Sequence, residues 1–99
     1  MTDFVVQEAR WAPVSAGEYD RRTRLLSVNL AVVDAVHARF GHQSATIIAA
    51  IVAHERVHAW STGRALTHEE EVRAREAATA AAGAHVVADI DTVLAEAWA

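Results

Sequence analysis

The order of hydrophobic and polar positions divides the chain into a strand-like part and a helical part. Phe4–Trp11 contains two adjacent valines, and Leu25–Leu30 carries apolar side chains at every second position, so both segments are predicted to be strands. The polar stretch Glu18–Arg24 between them is typical of a turn, with Asp20 suited to open it. We therefore expect residues 4–30 to form a small antiparallel sheet of two or three strands.

From Ala31 onward the apolar residues recur at helical spacing. Gly41 ends the first predicted helix, and Gly63 is a natural stop for the second. Thr67 followed three residues later by Glu70 is a capping-box pattern that opens the third. The four expected helices cover 31–40, about 44–60, 67–83 and about 84–98. The predicted architecture is an α+β fold, a small sheet followed by three or four helices, in one domain of residues 1–99.

The second helix is predicted to be central and to end in a chemically unusual segment. Its first half, Ile47–Ala53, is apolar on every face, as in helices that are buried all round. The next residues are His54-Glu55-Arg56-Val57-His58. Burying two histidines and a glutamate at this point would be costly without a partner. The plainer interpretation is that the histidines are exposed in the last turns, where a cationic imidazole suits the helix dipole.

These five residues match the HExxH pattern of zinc enzymes. On a helix, His54 and His58 lie one turn apart and face the same way, so their imidazoles can hold one zinc ion from one side. Glu55 is rotated by about 100° from His54 and stands beside the metal without binding it. There it can act as a general base that takes a proton from water on the metal.

Zinc in a catalytic site needs a third protein ligand, and the third helix offers several glutamates. A helical projection places Glu69 and Glu76 opposite the apolar alanine face, whereas Glu70 and Glu71 lie within it or at its border. The alanine face has to pack closely on another helix, so the ligand is expected to be Glu70 or Glu71. From the projection alone, the two are equally good candidates. Each also has an ordinary role, Glu70 in the capping box and Glu71 in a surface pair with Arg75.

Composition narrows the classes of function. The 99 residues include 23 alanines and six histidines, whereas lysine and cysteine are absent. The absence of cysteine excludes disulfides and thiolate metal sites, which leaves imidazole and carboxylate as zinc ligands. A net charge of -4 with scattered arginines gives no electrostatic footprint for nucleic acid. We find neither a signal peptide nor an apolar run of membrane-spanning length, so a cytoplasmic protein without membrane partners is expected.

The chain resembles the gluzincins, zinc metallopeptidases whose third ligand is a glutamate on the helix after HExxH. The nearest patterns are the minigluzincins and the ImmA/IrrE-like and HtpX-like peptidase domains. The resemblance covers roughly residues 19 to 82, and within it only HExxH is sharply specific. It is carried by a polar turn, a strand ending in asparagine, two helix segments and a Glu-x-x-Ala motif: Tyr19-Asp20, Leu25–Asn29, Val32–Val36, Ile48–Glu55 and Glu71–Ala74.

The resemblance implies a zinc metalloendopeptidase with Zn²⁺ held by His54, His58 and Glu71, and with Glu55 as the catalytic base. The substrate would be a peptide or protein, bound by main-chain addition to an edge strand. That strand would consist of Leu25, Leu26, Ser27, Val28 and Asn29.

The chain departs from the family pattern at several points, among them the absence of the transmembrane helices of HtpX-like enzymes. Arg75 stands where the family often has an acidic residue bonded to a zinc histidine, so that contact is missing or supplied elsewhere. Arg56 replaces a usually apolar residue. The spacing from His58 to Glu71 is short and requires a tight turn through Ser61–Leu66.

Several questions remain open from the sequence. Tyr19, His42 and His68 are candidates for stabilising the oxyanion, although each is more typical of a surface or turn residue. The last helix can either pack as core, which its apolar spacing favours, or cover the zinc. The rival functions are a zincin-like module that binds metal without useful catalysis, and a metal-free helical regulatory partner. Exposed arginines and a thin alanine core are compatible with a homodimer.

Overall fold

The computed structural model describes residues 4–60 and 67–99 and has the predicted α+β class. A three-stranded sheet precedes four helices. The elements in chain order are β1 (Val5–Ala9), β2 (Gly17–Asp20), β3 (Leu25–Asn29), α1 (Leu30–Phe40), α2 (Ser44–Ala59), α3 (His68–Ala82) and α4 (Ala84–Ala97). The predicted stop at Gly63 and the turn Ser61–Leu66 lie outside the described residues.

The sheet is mixed, and its strand directions and bounds correct two predictions. The order is β1-β3-β2, with β2 antiparallel and β1 parallel to β3. The antiparallel arrangement expected for residues 4–30 therefore holds for β2 and β3 but not for β1. The polar stretch Glu18–Arg24 is not all turn, because Glu18–Asp20 belongs to β2. The chain between β1 and β2, residues 10–16, crosses from one side of β3 to the other.

The prediction that Leu25–Asn29 forms an edge strand is wrong. This segment is β3, which pairs with β1 along one edge and with β2 along the other. Its main-chain groups are used within the sheet, so it cannot take a peptide by strand addition. The physical reason lies in its side chains: Leu26 and Val28 are fully buried, and the strand that buries most apolar surface takes the centre of the sheet.

Asn29, assigned above to substrate binding, instead ties the sheet to α1 and to the chain before β2. Its fully buried side chain caps α1, because Oδ1 accepts from the Ala31 N–H at 3.1 Å. The same oxygen accepts from the Trp11 N–H at 3.2 Å. Its Nδ2 donates to the carbonyls of Ala12 and Ser15, at 3.2 and 3.0 Å. One amide thus fixes both ends of residues 11–15.

The helices follow the sequence pattern closely. Gly41 ends α1 in the left-handed conformation, with φ 76°, and the Thr67 side chain caps α3 by accepting from the Glu70 N–H. The central core combines the inner face of the sheet with α1, α2 and α4, and Ala78 of α3 joins it. The expectation that the last helix packs as core is confirmed, because Val86, Val87, Ile90 and Val93 are buried. No helix among the described residues is both long enough and apolar enough to cross a bilayer.

We expect Asn29→Ala to lower the free energy of unfolding by about 2–4 kcal/mol, because it leaves buried N–H and C=O groups without partners. Asn29→Asp should be at least as damaging, since it turns a carboxylate oxygen toward the two carbonyls that Nδ2 now serves. Urea unfolding followed by circular dichroism measures both. Ser27→Ala is the control: its hydroxyl accepts only an exposed bond from Gln7, so a change within about 1 kcal/mol is expected. Equal losses in all three variants would contradict the role given to Asn29.

Candidate metal centre

The last two turns of α2 bring the two predicted zinc ligands together. His54 and His58 are four residues apart on this helix, and their ring centroids lie 4.8 Å from each other. Both side chains are partly exposed, whereas the Glu55 residue between them is 7% exposed and turned toward the sheet. The helix therefore presents two imidazoles toward α3 and holds one buried carboxylate beside them.

Glu71, near the start of α3, faces both imidazoles. Its Oε1 lies 3.0 Å from His54 Nε2, and its Oε2 lies 3.5 Å from His58 Nε2. One ligand atom from each of the three residues can be chosen so that all lie within 4.8 Å of one another. A tetrahedral zinc ion with bonds of about 2.0–2.1 Å separates its ligand atoms by roughly 3.3 Å. The two carboxylate–imidazole separations are close to this value, so the three residues could hold a metal ion.

Glu70 takes a different position in the same cluster. Its Oε2 accepts from His58 Nδ1 at 3.1 Å, on the side of the ring that faces away from Glu71. This contact selects the tautomer whose Nε2 carries the lone pair needed by a metal. The geometry therefore favours Glu71 as the ligand and Glu70 as the group that orients His58. Glu70, the residue before Glu71, thus makes an acidic contact to a histidine of the kind that Arg75 cannot make.

The start of α3 explains why Glu70 and Glu71 divide these roles. The Thr67 side chain accepts from the Glu70 N–H at 3.1 Å, which fixes the first turn of the helix. Successive side chains on that turn are about 100° apart, so neighbouring glutamates approach α2 from different directions. Glu69, on the same turn, is exposed. Small residues on the same face, Ala74 and Ala78, are buried and allow α3 to lie close to α2.

Glu55 lies beside the cluster without joining it. Its Oε2 is 3.8 Å from His54 Nδ1, beyond hydrogen-bonding distance, and its side chain is covered by Gly17 of β2. A Cβ atom on Gly17 would lie 2.9 Å from Glu55 Cγ and 2.9 Å from Ile51 Cγ2. Gly17 thus provides the space that the buried carboxylate occupies. No local sequence pattern marks this contact.

The surrounding carboxylates favour a proton on His54. The nearby Glu55 carboxylate raises the pKa of His54 above its ordinary value, burial opposes this, and Glu71 adds to the rise. Metal binding at Nε2 must displace this proton, because only the neutral ring is a ligand. The affinity for metal is therefore expected to fall as the pH drops below the raised pKa of His54.

A cavity of about 270 Å³, here called the side cavity, opens beside the cluster. His54, Glu55 and Glu71 line one part of it, and the rest is formed by residues 14–17, α2, α3 and α4. The three proposed oxyanion groups do not line it. His42 pairs with Asp89 at 2.6 Å, Tyr19 packs against Phe4, and His68 is exposed at the start of α3. Apart from His54, the basic side chain that lines the side cavity is Arg75.

Comparison of the chain with protein-family models, with curated proteins and with solved structures finds no match. The resemblance to gluzincins therefore stays a prediction. The proposal of a metal site depends on the geometry of the cluster of His54, His58 and Glu71.

Single substitutions separate the roles of the three consecutive glutamates. We expect Glu71→Ala to abolish stoichiometric zinc binding, because it removes one of three ligands. Glu70→Ala should weaken the affinity about 10- to 100-fold, as loss of a contact to a metal-bound histidine does. Glu69→Ala, an exposed neighbour on the same turn, should change nothing. Competition with a chromophoric chelator, on protein without a histidine tag, measures all three. Full affinity in Glu71→Ala together with its loss in Glu70→Ala would reverse the assignment.

Proposed function

We propose that this protein is a zinc-dependent peptidase that hydrolyses peptide bonds at the cluster of His54, His58 and Glu71. The observation that carries the proposal is the placement of these three donors around one position, with the Glu55 carboxylate beside them. A module that binds metal without catalysis would need only His54, His58 and Glu71. The buried carboxylate next to them favours a hydrolase.

The donor set fits zinc in a catalytic rather than a structural site. Two imidazoles and one carboxylate are borderline and hard ligands that suit Zn²⁺, and three protein ligands leave a coordination position for water or substrate. A zinc ion held there would supply Lewis acidity and lower the pKa of a bound water molecule. Glu70, whose side chain is 14% exposed, would keep His58 in the required tautomer.

Glu55 is the residue proposed to move protons. Its carboxylate would accept a proton from the attacking water at Oε2 and then deliver it to the nitrogen of the leaving amine. Burial under Gly17 restricts this side chain to one position beside the cluster. A fixed base is effective because the cost of orienting it has been met during folding.

The substrate cannot use β3, but β2 is available on the side of the sheet nearest the cluster. β2 is an outer strand in the described sheet, and its first residue, Gly17, lines the side cavity together with His54 and Glu55. We propose that an extended peptide lies along β2, starting at Gly17, rather than along Leu25–Asn29.

Glu55→Gln tests the role of the base. The amide retains the size of the side chain but cannot accept the proton, so we expect zinc binding at one equivalent and a loss of peptidase activity of about a thousandfold or more. Activity is measured on a quenched fluorescent peptide library. Glu69→Gln is the matched control and should keep full activity.

Two outcomes would favour the rival functions, and a third tests the base. Zinc binding with no cleavage of any peptide by the wild type would favour the interaction module. Less than a tenth of an equivalent of zinc after reconstitution would favour the metal-free regulatory partner. Unchanged cleavage in Glu55→Gln would exclude this carboxylate as the base.

Gly17→Ala tests the packing that holds Glu55. The added methyl group would collide with Glu55 and Ile51, so we expect activity to fall about tenfold or more through displacement of the carboxylate. Zinc affinity should change much less. Gly83→Ala is the control: its Cβ meets open space but its φ of 96° strains any side chain, so stability should fall while the folded protein keeps its activity. Equal activity losses in both variants would argue for a general effect on stability.

A further inference from the structure

The side cavity has a charged part and an apolar part. Next to the cluster, α3 contributes Arg75, one turn after Glu71, and α4 contributes Asp91. The other helical residues of the lining are mainly apolar, with Ala50 and Ile51 from α2, Ala78 from α3, and Val87 and Ile90 from α4. A ligand that fills this cavity therefore meets the metal cluster, a guanidinium and an aliphatic surface.

Arg75 is held at this position but keeps donors for a ligand. Its two terminal nitrogens donate to Asp91, at 3.2 and 2.5 Å, and about half of each side chain is exposed. These bonds leave Nε and a further hydrogen on each terminal nitrogen. Arginine binds carboxylates in this forked manner more readily than any other side chain. The chain has no lysine, and Arg75 is the one arginine among the described residues that line the side cavity.

The volume of the cavity limits what it can hold. At about 270 Å³ it lies just below the roughly 300–1,000 Å³ range of pockets that hold drug-sized ligands. One amino-acid residue fits such a space better than a continuing chain. The residue that follows α4 also contacts the wall formed by residues 14–17, because the Trp98 Nε1–H donates to the Val14 carbonyl at 3.1 Å. These features favour a chain end as the occupant.

We infer that the side cavity binds the C-terminal residue of a peptide, with its carboxylate on Arg75 and its apolar side chain against the inner lining. This inference rests on the proposed peptidase function and narrows it to removal of one C-terminal residue, in place of the internal cleavage that the resemblance implies. The last C–N amide bond breaks, water supplies the oxygen of the new carboxylate, and the leaving nitrogen gains a proton. The products are a shortened peptide and a free apolar amino acid.

Paired substrates test the inference. Zinc-loaded protein is given a peptide ending in leucine as the free acid, the same peptide as the C-terminal amide, and an amidated peptide with glutamate in the last position. We expect kcat/KM to be about 10- to 100-fold higher for the free acid than for its amide, the range that one charged hydrogen bond gives. Equal cleavage of acid and amide would overturn the inference. Preference for the amidated glutamate peptide over the free acid would also overturn it, since Arg75 would then bind an acidic side chain.

Three variants separate recognition by Arg75 from support of the fold. Arg75→Gln should bring the acid and amide rates within about threefold of each other while zinc stays bound. Asp91→Asn removes the competing carboxylate and should keep or enlarge the preference for the free acid. If the pair only joined α3 to α4, both variants would lose stability and neither would change the preference. Arg39→Gln breaks a similarly exposed ion pair, with Glu96 of α4, away from the side cavity and should behave as the wild type.

A binding measurement distinguishes failure of this inference from failure of the proposed function. N-acetyl-leucine and N-acetyl-leucinamide are titrated into zinc-loaded Glu55→Gln protein and followed by NMR shifts of the α3 and α4 amides. Tighter binding of the acid, lost in Arg75→Gln, supports the carboxylate site even if no peptide is cleaved. Equal binding of acid and amide, or preference for the amide, overturns the site whatever the activity.

Discussion

The close approach of α3 to α2 is the constraint on which the candidate site depends. A carboxylate reaches two imidazoles on a neighbouring helix only when the helices are near each other, and alanine permits the shortest separations. Ala74 and Ala78 are the buried residues of α3, and they follow Glu71 on the same side of the helix. Larger side chains there would move Glu71 away from His54 and His58. The alanine content that makes the core thin is thus also what brings Glu71 close to the two imidazoles.

The cluster concentrates charge that the protein alone only partly compensates. Three carboxylates, Glu55, Glu70 and Glu71, surround two imidazoles. Of these, Glu55 and Glu71 raise the pKa of His54 and so favour its proton. A divalent cation would neutralise more of this charge and would hold both Nε2 atoms and the Glu71 carboxylate in one arrangement. The same reasoning explains why Glu55 needs shielding. Covered by Gly17, it stays beside the cluster instead of joining the ligands.

The sequence predicted what depends on neighbouring residues and missed what depends on distant ones. Helical periodicity and caps gave α1, α2, α3 and α4 to within a few residues, and the HExxH spacing alone puts two imidazoles on one face. The choice between Glu70 and Glu71 stayed open because a projection of one helix does not show where the other helix lies. The position of β3 between β1 and β2 depends on pairing across a long connection, which strand propensity does not encode. The contact of Gly17 with Glu55 follows from that topology, so it was equally hidden.

The buried amide of Asn29 links the wall of the side cavity to the core. Residues 11–15 are held at both ends by a side chain that also begins α1. This segment cannot separate from the sheet without exposing those bonds and disturbing the first turn of the helix. Its opening is therefore coupled to opening of the core. A chain of this size thereby gains a rigid wall beside its cavity without adding a separate structural element.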